Sequence, residues 1–221
     1  MKASPLNPST GLTTITLLLA VFSLPAATHY VSLGSANLTP PYTNWMTAAT
    51  NIQDALNVAA ANDVVLVTNG VYPGGVSVTN ALALLSVNGP QFTIINGHPE
   101  DTYPPIGTNC VSLADGASLT GFTLTNGSPD GGLWCASTNA LLTNCIIVGN
   151  YGGGAFGGML YNCTLARNMF GGASHSTLYN CTLTQNLALL HKHIPDNKRH
   201  YHNMPECASA ATRGIVFSNI M

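Results

Sequence analysis

The sequence predicts an all-β solenoid, a parallel β-helix with one short helix that caps its N-terminal end. Three observations support this fold class: an internal repeat, short apolar runs that end in Asn-Gly turns, and few charged residues. Gly contributes 22 and Pro 13 of the 221 residues, whereas only 6% are charged. This composition favours strands and turns over helices. The formal net charge of -2 argues against nucleic acid or a membrane surface as a partner.

The repeat sets the length of one coil. Residues 160–165 (LYNCTL) recur at 178–183, and the Gly-Gly-Ala of 153–155 recurs at 171–173, so both motifs follow the same 18-residue step. Residues 142–150 keep this step in part, and a looser echo further upstream widens the repeat to about 18 to 23 residues. A unit of this size cannot bury a core alone. We therefore expect each copy to form one coil and to stack on the next at about 4.8 Å.

Side chains along each strand should alternate between the interior and solvent. Cys163 and Leu165 share one parity and are predicted to face inward, whereas Thr164 and Thr182 face outward. Cysteines occupy the same inward position in three successive copies of the repeat. This predicts a ladder of buried thiols at Cys145, Cys163 and Cys181. We expect these thiols to act as small apolar fillers, because stacked strands hold their side chains parallel. A disulfide across a loop stays open for Cys110 and Cys135, and Cys207 lies in the C-terminal tail.

A second ladder is predicted from asparagines that follow the strands at the same 18-residue step. Its members are Asn150, Asn168 and Asn186. Asn tolerates left-handed backbone geometry, and its side-chain amide can bond the same group one coil away. We therefore expect left-handed geometry and an amide ladder at these three positions.

Residues 50–61 (TNIQDALNVAAA) give the one convincing helix signal. Apolar residues recur at helical spacing from Ile52 to Ala59, and Thr50 and Gln53 have the spacing of a capping box. This helix is expected to cover the first coil, whose edge would otherwise pair with foreign strands. Further along, apolar runs at 64–67, 81–87, 92–95 and 118–125 predict strands that end in turns.

The two ends of the chain differ from the repeat. Residues 1–27 begin with Lys2, continue through an apolar run at 12–24 and end in small residues around Ala27, the layout of a secretory signal peptide. The apolar run is shorter than the roughly 20 residues of a spanning helix, and no second run of that length follows. We predict a signal peptide at 1–27, the β-helix at 28–186 and an atypical tail at 187–221. The tail is either a divergent, disordered segment or the product of a truncation or frameshift.

Short motifs at 30–32, 40–45, 48–55, 64–72, 86–90 and 121–127, together with the Gly-Gly and Asn-Cys-Thr-Leu repeats, span about residues 29–186. In these motifs the chain resembles the secreted bacterial right-handed parallel β-helix proteins of the pectin-lyase-like fold. The resemblance implies a right-handed solenoid in a secreted or cell-surface protein. It says little about activity, because the family includes lyases, hydrolases, epimerases and surface proteins without catalysis.

No catalytic constellation is found in the sequence. A pectate-lyase type of reaction would need clustered carboxylates for calcium and a basic residue, and related hydrolases need paired carboxylates. Between residues 104 and 186 the charged side chains are Asp115, Asp130 and Arg167, and the two carboxylates do not follow the repeat period. We therefore predict no catalytic residue, cofactor or metal. The densest ligand group lacks the frame of a structural zinc site and lies in the tail, at His191, His193, His200 and His202.

Tyr161 and Tyr179 are equivalent residues of the repeat and should lie close together. On the outside of the solenoid they could stack on the face of a sugar, which makes them the candidate carbohydrate contacts. The function that the sequence favours is an exported, non-catalytic β-helix that serves as a surface or extracellular structural or adhesive module. The alternatives are a polysaccharide lyase or glycoside hydrolase, and a truncated gene product without its own function. An uncapped final coil would also favour end-to-end self-association.

Overall fold

The computed structural model describes residues 25–97 and 107–187. One α-helix, α1 (Ile52–Val58), and one short 3-10 helix (Trp45–Thr47) accompany eighteen strands in these ranges. The strands are β1 (Thr28–Val31), β2 (Val64–Val67), β3 (Gly70–Pro73), β4 (Val76–Val78), β5 (Ala83–Ser86), β6 (Thr93–Asn96), β7 (Val111–Leu113), β8 (Ser118–Thr120), β9 (Thr123–Thr125), β10 (Leu133–Cys135), β11 (Leu141–Thr143), β12 (Ile146–Val148), β13 (Ala155–Phe156), β14 (Met159–Tyr161), β15 (Thr164–Ala166), β16 (Ala173–Ser174), β17 (Thr177–Tyr179) and β18 (Thr182–Thr184).

The strands form three sheets in which every strand pair is parallel. Sheet A has the order β1-β2-β5-β8-β11-β14-β17, sheet B the order β3-β6-β9-β12-β15-β18, and sheet C the order β4-β7-β10-β13-β16. β1 and the strand that follows it, β2, both belong to sheet A, and from β2 onward the chain passes through one strand of each sheet in turn and then moves to the next level. Each such circuit is one coil, so the predicted parallel β-helix is confirmed.

The strand register confirms the predicted repeat. In sheet A, Leu142 pairs with Leu160 and Leu160 pairs with Leu178, which is the 18-residue step in each case. The step from Leu119 to its partner Leu142 is longer. The coil length therefore varies upstream, where loops between strands are longer, and becomes constant in the last coils.

The inward side chains form one continuous apolar core. Each level contributes buried aliphatic residues, such as Leu142 and Leu160 from sheet A and Ile147 and Leu165 from sheet B. Thr164 is half-buried and Thr182 is exposed, as the predicted alternation requires. Period-two alternation fixes this pattern, since a slip by one residue would turn every apolar side chain of a strand outward.

The helix is shorter than predicted, and its N-terminal cap is formed by other residues. The N-cap is Asn51, whose side chain accepts from the Asp54 N–H and whose Nδ2 donates to Asp54 Oδ2, so the predicted pair of Thr50 and Gln53 is wrong. Gln53 instead bonds Ser77 of β4 through both its amide oxygen and its amide nitrogen. The helix packs on β1, β2 and β4 and so covers the first coil, as expected. No helix within the two described ranges has the length and apolarity needed to cross a membrane.

The predicted strand at 118–125 is two strands, β8 and β9, which belong to different sheets. Gly121, at φ +79, lies between them and turns the chain from sheet A to sheet B. The sequence holds a signal for this corner, because the buried residues Leu119 and Phe122 are three positions apart and so break the two-residue alternation of a single strand.

Candidate functional site

Tyr161 and Tyr179 lie on the outer surface of sheet A, at the end of β14 and β17. The two residues are register partners, and their rings stack with centroids 4.5 Å apart and an interplanar angle of 10°. Their neighbours Leu160 and Leu178 face the interior, so strand alternation directs both tyrosines outward. Tyr179 is 40% exposed and Tyr161 is half-buried. The structure thus brings the two candidate carbohydrate contacts into one stack, called here the tyrosine platform.

Exposed amides border the tyrosine platform. Asn162 and Asn180 follow the two tyrosines with φ of 54° and 50°, and their left-handed backbone turns the chain into sheet B. Asn180 Nδ2 donates to Asn162 Oδ1 across the coils at 2.5 Å. Amides beside an aromatic face can bond hydroxyl groups of a ligand that stacks on the rings.

The platform continues along sheet A as an uncharged surface. Its column of register partners runs from Tyr30 through aliphatic and threonine side chains to Tyr179, and all of these face outward. Tyr30 contacts Trp45 edge to face with ring centroids 4.5 Å apart. The column is therefore aromatic at both ends, and its middle members are Leu66, Leu85, Thr120 and Thr143.

A second aromatic group lies on the outer surface of sheet C. Trp134 and Phe156 are register partners on β10 and β13, and the Phe156 ring lies 4.9 Å from the His175 ring. Trp134 is 41% exposed. Each of these two residues follows a Gly-Gly pair in the sequence, and the strand register shows that the two motifs occupy equivalent positions on neighbouring coils.

The structure brings Asn150, Asn168 and Asn186 into one ladder inside the solenoid. Asn150 Nδ2 donates to Asn168 Oδ1 at 2.8 Å, and Asn168 Nδ2 donates to Asn186 Oδ1 at 2.9 Å. Asn150 and Asn168 are fully buried. The prediction of left-handed backbone geometry at these asparagines is wrong. The positive φ angles lie one residue earlier, at Gly149, Arg167 and Gln185. The preceding residue makes the turn, so the asparagine side chain can point inward.

Cys145, Cys163 and Cys181 are buried and free, and they occupy one inward column. Each thiol donates to a main-chain oxygen, as Cys163 does to Tyr161 O at 3.3 Å. Cys110 and Cys135 are also free and buried, so they do not form a disulfide with each other. Burial raises the pKa of each of these last two thiols to about 12. Cys207 lies outside the described residues.

The structure does not bring the three charged candidates together. Asp115 lies in the connection from sheet C to sheet A, where the Ser137 hydroxyl and Asn139 Nδ2 donate to it and hold its pKa below the ordinary value. Asp130 and Arg167 lie in connections from sheet B to sheet C, on coils two levels apart. Arg167 Nε donates to Gln185 Oε1 at 3.0 Å.

A buried pair near the N-terminal end escaped the sequence analysis. His29 and Asp63 are 3% and 7% exposed, and His29 Nε2 lies 3.1 Å from Asp63 Oδ2. His29 Nδ1 donates to Pro41 O at 2.7 Å. Burial opposes ionisation of Asp63, but the N–H donors of Ala60 and Ala27 and the neighbouring His29 together outweigh it and lower the pKa of the carboxyl. The two residues are far apart in the chain and lie outside the repeat, so no spacing pointed to them.

Across the described ranges, no group of three or more His, Cys, Asp or Glu side chains is arranged to hold a metal ion. The four tail histidines, His191, His193, His200 and His202, fall outside those ranges, as do residues 1–24 of the predicted signal peptide. The tyrosine platform is thus the candidate site that the described residues build most completely.

Solved structures similar to this chain are pectin methylesterases. One, in complex with a hexasaccharide, has a TM-score of 0.50 at 16% identity, over 73% of this chain and 56% of that one. The carrot enzyme has a TM-score of 0.50 at 18% identity, over 75% of this chain and 54% of that one. The chain thus spans a little over half the length of these neighbours.

No family model and no curated protein sequence matches the chain. At such low identity the structural likeness shows the fold alone. Together with the three all-parallel sheets it bears out the predicted handedness and fold class. The chain is a right-handed parallel β-helix protein of the pectin-lyase-like fold.

Proposed function

We propose that this protein is an exported, non-catalytic β-helix module that binds an extracellular polysaccharide through the tyrosine platform. The observation that supports binding is the stacked, outward pair Tyr161 and Tyr179 with its border of exposed amides. The Tyr179 ring face that is turned away from Tyr161, with hydrogen-bonding groups beside it, suits a sugar ring, which has apolar C–H faces and hydroxyl edges. The separation of Asp115, Asp130 and Arg167 among different connections supports a role without catalysis.

Export is part of the proposal and rests on the sequence of residues 1–27, with its basic start, apolar run and small residues near Ala27. The protein would act outside the cytoplasm, either secreted or held at the cell surface. Cell fractionation of a producing bacterium tests this location. Recovery of the protein in the cytoplasm alone would overturn it.

Affinity electrophoresis in gels that contain dissolved pectin, with dextran as the comparison polysaccharide, tests the platform. We expect Tyr161→Ala and Tyr179→Ala each to weaken retardation by about two- to tenfold, since an aromatic stacking contact contributes roughly 0.5–1.5 kcal/mol. Tyr161→Phe should retain most of the binding, because the ring face remains. Tyr151→Ala is the matched control, since Tyr151 is 43% exposed but lies in a loop away from the platform.

The platform has no role if the two alanine variants fold normally and bind as the unchanged protein does.

Assays for methyl ester hydrolysis, unsaturated products and new reducing ends test the absence of catalysis on the same pectin. We expect no turnover. Activity that disappears in Asp115→Asn or Asp130→Asn would instead show that the protein is an enzyme and that the substituted carboxylate is needed for catalysis.

A further inference from the structure

The start of the solenoid is tied together by the Asp63 carboxylate. Asp63 Oδ1 accepts from the Ala27 main-chain nitrogen at 2.7 Å, and Oδ2 accepts from the Ala60 nitrogen at 2.7 Å. Asp63 thereby joins three parts of the chain: the residue before β1, the end of the α1 segment, and β1 itself through His29. A carboxylate this deeply buried is normally matched by a positive charge or by several N–H donors.

Ala27 is fixed from two sides. Its N–H donates to Asp63, and its carbonyl oxygen accepts from the Val64 N–H at 2.8 Å, which extends the pairing of β1 with β2 by one residue. Pro25 and Ala26, immediately before it, are exposed. The bond between Ala26 and Ala27 therefore marks the boundary between a segment open to solvent and the first residue held by the fold.

We propose that the Ala26–Ala27 peptide bond is the processing site of the exported chain, and that the resulting α-ammonium of Ala27 forms an ion pair with Asp63. The inference rests on the proposed export. In the cleavage step a signal peptidase uses water to break the C–N bond, the Ala26 carbonyl carbon keeps the water oxygen as a carboxylate, and the Ala27 nitrogen becomes the ammonium. That nitrogen already lies 2.7 Å from Oδ1, so the pair forms without movement of the chain.

The geometry distinguishes this bond from the next one. Cleavage between Ala27 and Thr28, the boundary that a signal peptide at 1–27 implies, would remove both the N–H that Asp63 accepts and the carbonyl that Val64 N–H uses. Cleavage before Ala27 keeps both contacts and adds a charge to one of them. Ala26 supplies the small residue that signal peptidases require before the cleaved bond.

Among the described residues two titratable side chains, His29 and Asp63, face each other here, and the other groups that bond them are main-chain groups. From β1, His29 faces Asp63; from the turn after α1, the Ala60 N–H faces the same carboxylate; and from the 40–42 segment, the Pro41 carbonyl faces His29. An ammonium beside a carboxylate has a pKa above its ordinary value of about 8. Its contribution to stability is therefore present below that ordinary value and is lost as the pH rises through the raised value.

The first experiment determines the N-terminus of the full-length gene product purified from the periplasm or medium of a producing bacterium, by intact mass and peptide sequencing. We expect the chain to begin at Ala27. A start at Thr28 or at another residue overturns the inference and leaves export intact. A chain that stays uncleaved in the cytoplasm overturns the proposed export and this inference together.

The second experiment measures the ammonium itself in the processed protein. Reductive methylation with 13C-formaldehyde keeps the charge and lets NMR follow its titration, and we expect a pKa at least about 1 unit above the ordinary value. Asp63→Asn should return it to that value, with Asp115→Asn as the control that does not. If Asp63→Asn does not fold, the unchanged protein still tests the proposal. An ordinary pKa for its Ala27 ammonium would show that the ion pair with Asp63 does not form.

Discussion

The two halves of the solenoid share the same three sheets but are held together by different interactions. In the C-terminal coils the 18-residue step is constant, and identical side chains bond or stack on each other: asparagine on asparagine and tyrosine on tyrosine. In the N-terminal coils the step varies, and that from Ala83 to Ser118 is almost twice as long as that from Val64 to Ala83. There, isolated pairs such as Asp63 with His29 and Asn88 with Asn69 take the place of ladders that continue through three levels.

This difference shows how a solenoid can be stabilised in two ways. Where coils have equal length, one favourable contact is repeated at every level, and its members depend on one another. Where loops vary, each level needs its own contacts. The following predictions test whether the C-terminal half depends on its ladders and the N-terminal half on its individual pairs.

The largest expected effect follows from cutting the asparagine ladder. Asn168→Ala removes the acceptor of the Asn150 N–H and Nδ2 groups and the donor to Ile147 O, all buried. Buried groups left without partners cost about 1–3 kcal/mol each, so we expect a loss of at least about 3 kcal/mol in the free energy of unfolding. Urea denaturation measures it.

The matched control is Asn162→Gly. Asn162 also belongs to an inter-coil amide pair, but its side chain is exposed, and glycine tolerates its φ of 54°. We expect a change of no more than about 0.5 kcal/mol. Equal losses for the two variants would show that burial of the ladder is not what stabilises the coils.

Two adjacent glycines give the next prediction. A Cβ on Gly154 would lie 2.2 Å from Gly172 O and 2.8 Å from Asn168 Nδ2, whereas a Cβ on Gly153 would meet nothing closer than 3.8 Å. Gly154→Ala should therefore force the coils apart and cost about 1–3 kcal/mol, as overpacking does. Gly153→Ala should stay within about 0.5 kcal/mol. Similar melting temperatures for the two variants would mean that the spacing of the coils is not tightly fixed.

Much of the C-terminal half was predictable, since the 18-residue spacing gave the register of β14 with β17 and the inward position of Cys163. The stack of Tyr161 on Tyr179 follows from the same spacing. The corner at Gly121 was missed although the three-residue step to buried Phe122 breaks the strand alternation, and the cap at Asn51 was missed because Thr50 also fits a capping motif. His29 and Asp63 were invisible, because a single contact between distant residues leaves no periodic signal.

In the N-terminal half we expect acid sensitivity that depends on Asp63. Its pKa is lowered in the folded protein, so its contribution is present above the unfolded value of about 3.9 and is lost as the pH falls through the folded value. Asp63→Asn should cost about 1–2 kcal/mol at neutral pH, since a buried carboxylate that accepts several hydrogen bonds is replaced. The loss should shrink below about pH 4. A loss that stays the same from pH 7 to pH 2.5 in chemical denaturation would contradict this assignment.

The smallest effect is expected at the end of the regular array, where repeats are held from one side only. Leu165 is fully buried, but Leu183, its equivalent one coil later, is only half-buried, and Thr182 and Thr184 are exposed. Local opening of this level should cost less free energy than opening of the level before it.

Pulsed alkylation of the native protein, with modified cysteines mapped by mass spectrometry, compares Cys181 with Cys163. We expect Cys181 to react about tenfold faster, the ratio that corresponds to about 1.4 kcal/mol. Equal rates would mean that the C-terminal coils open together, in which case the asparagine ladder couples the levels more strongly than nearest-neighbour stacking alone would allow.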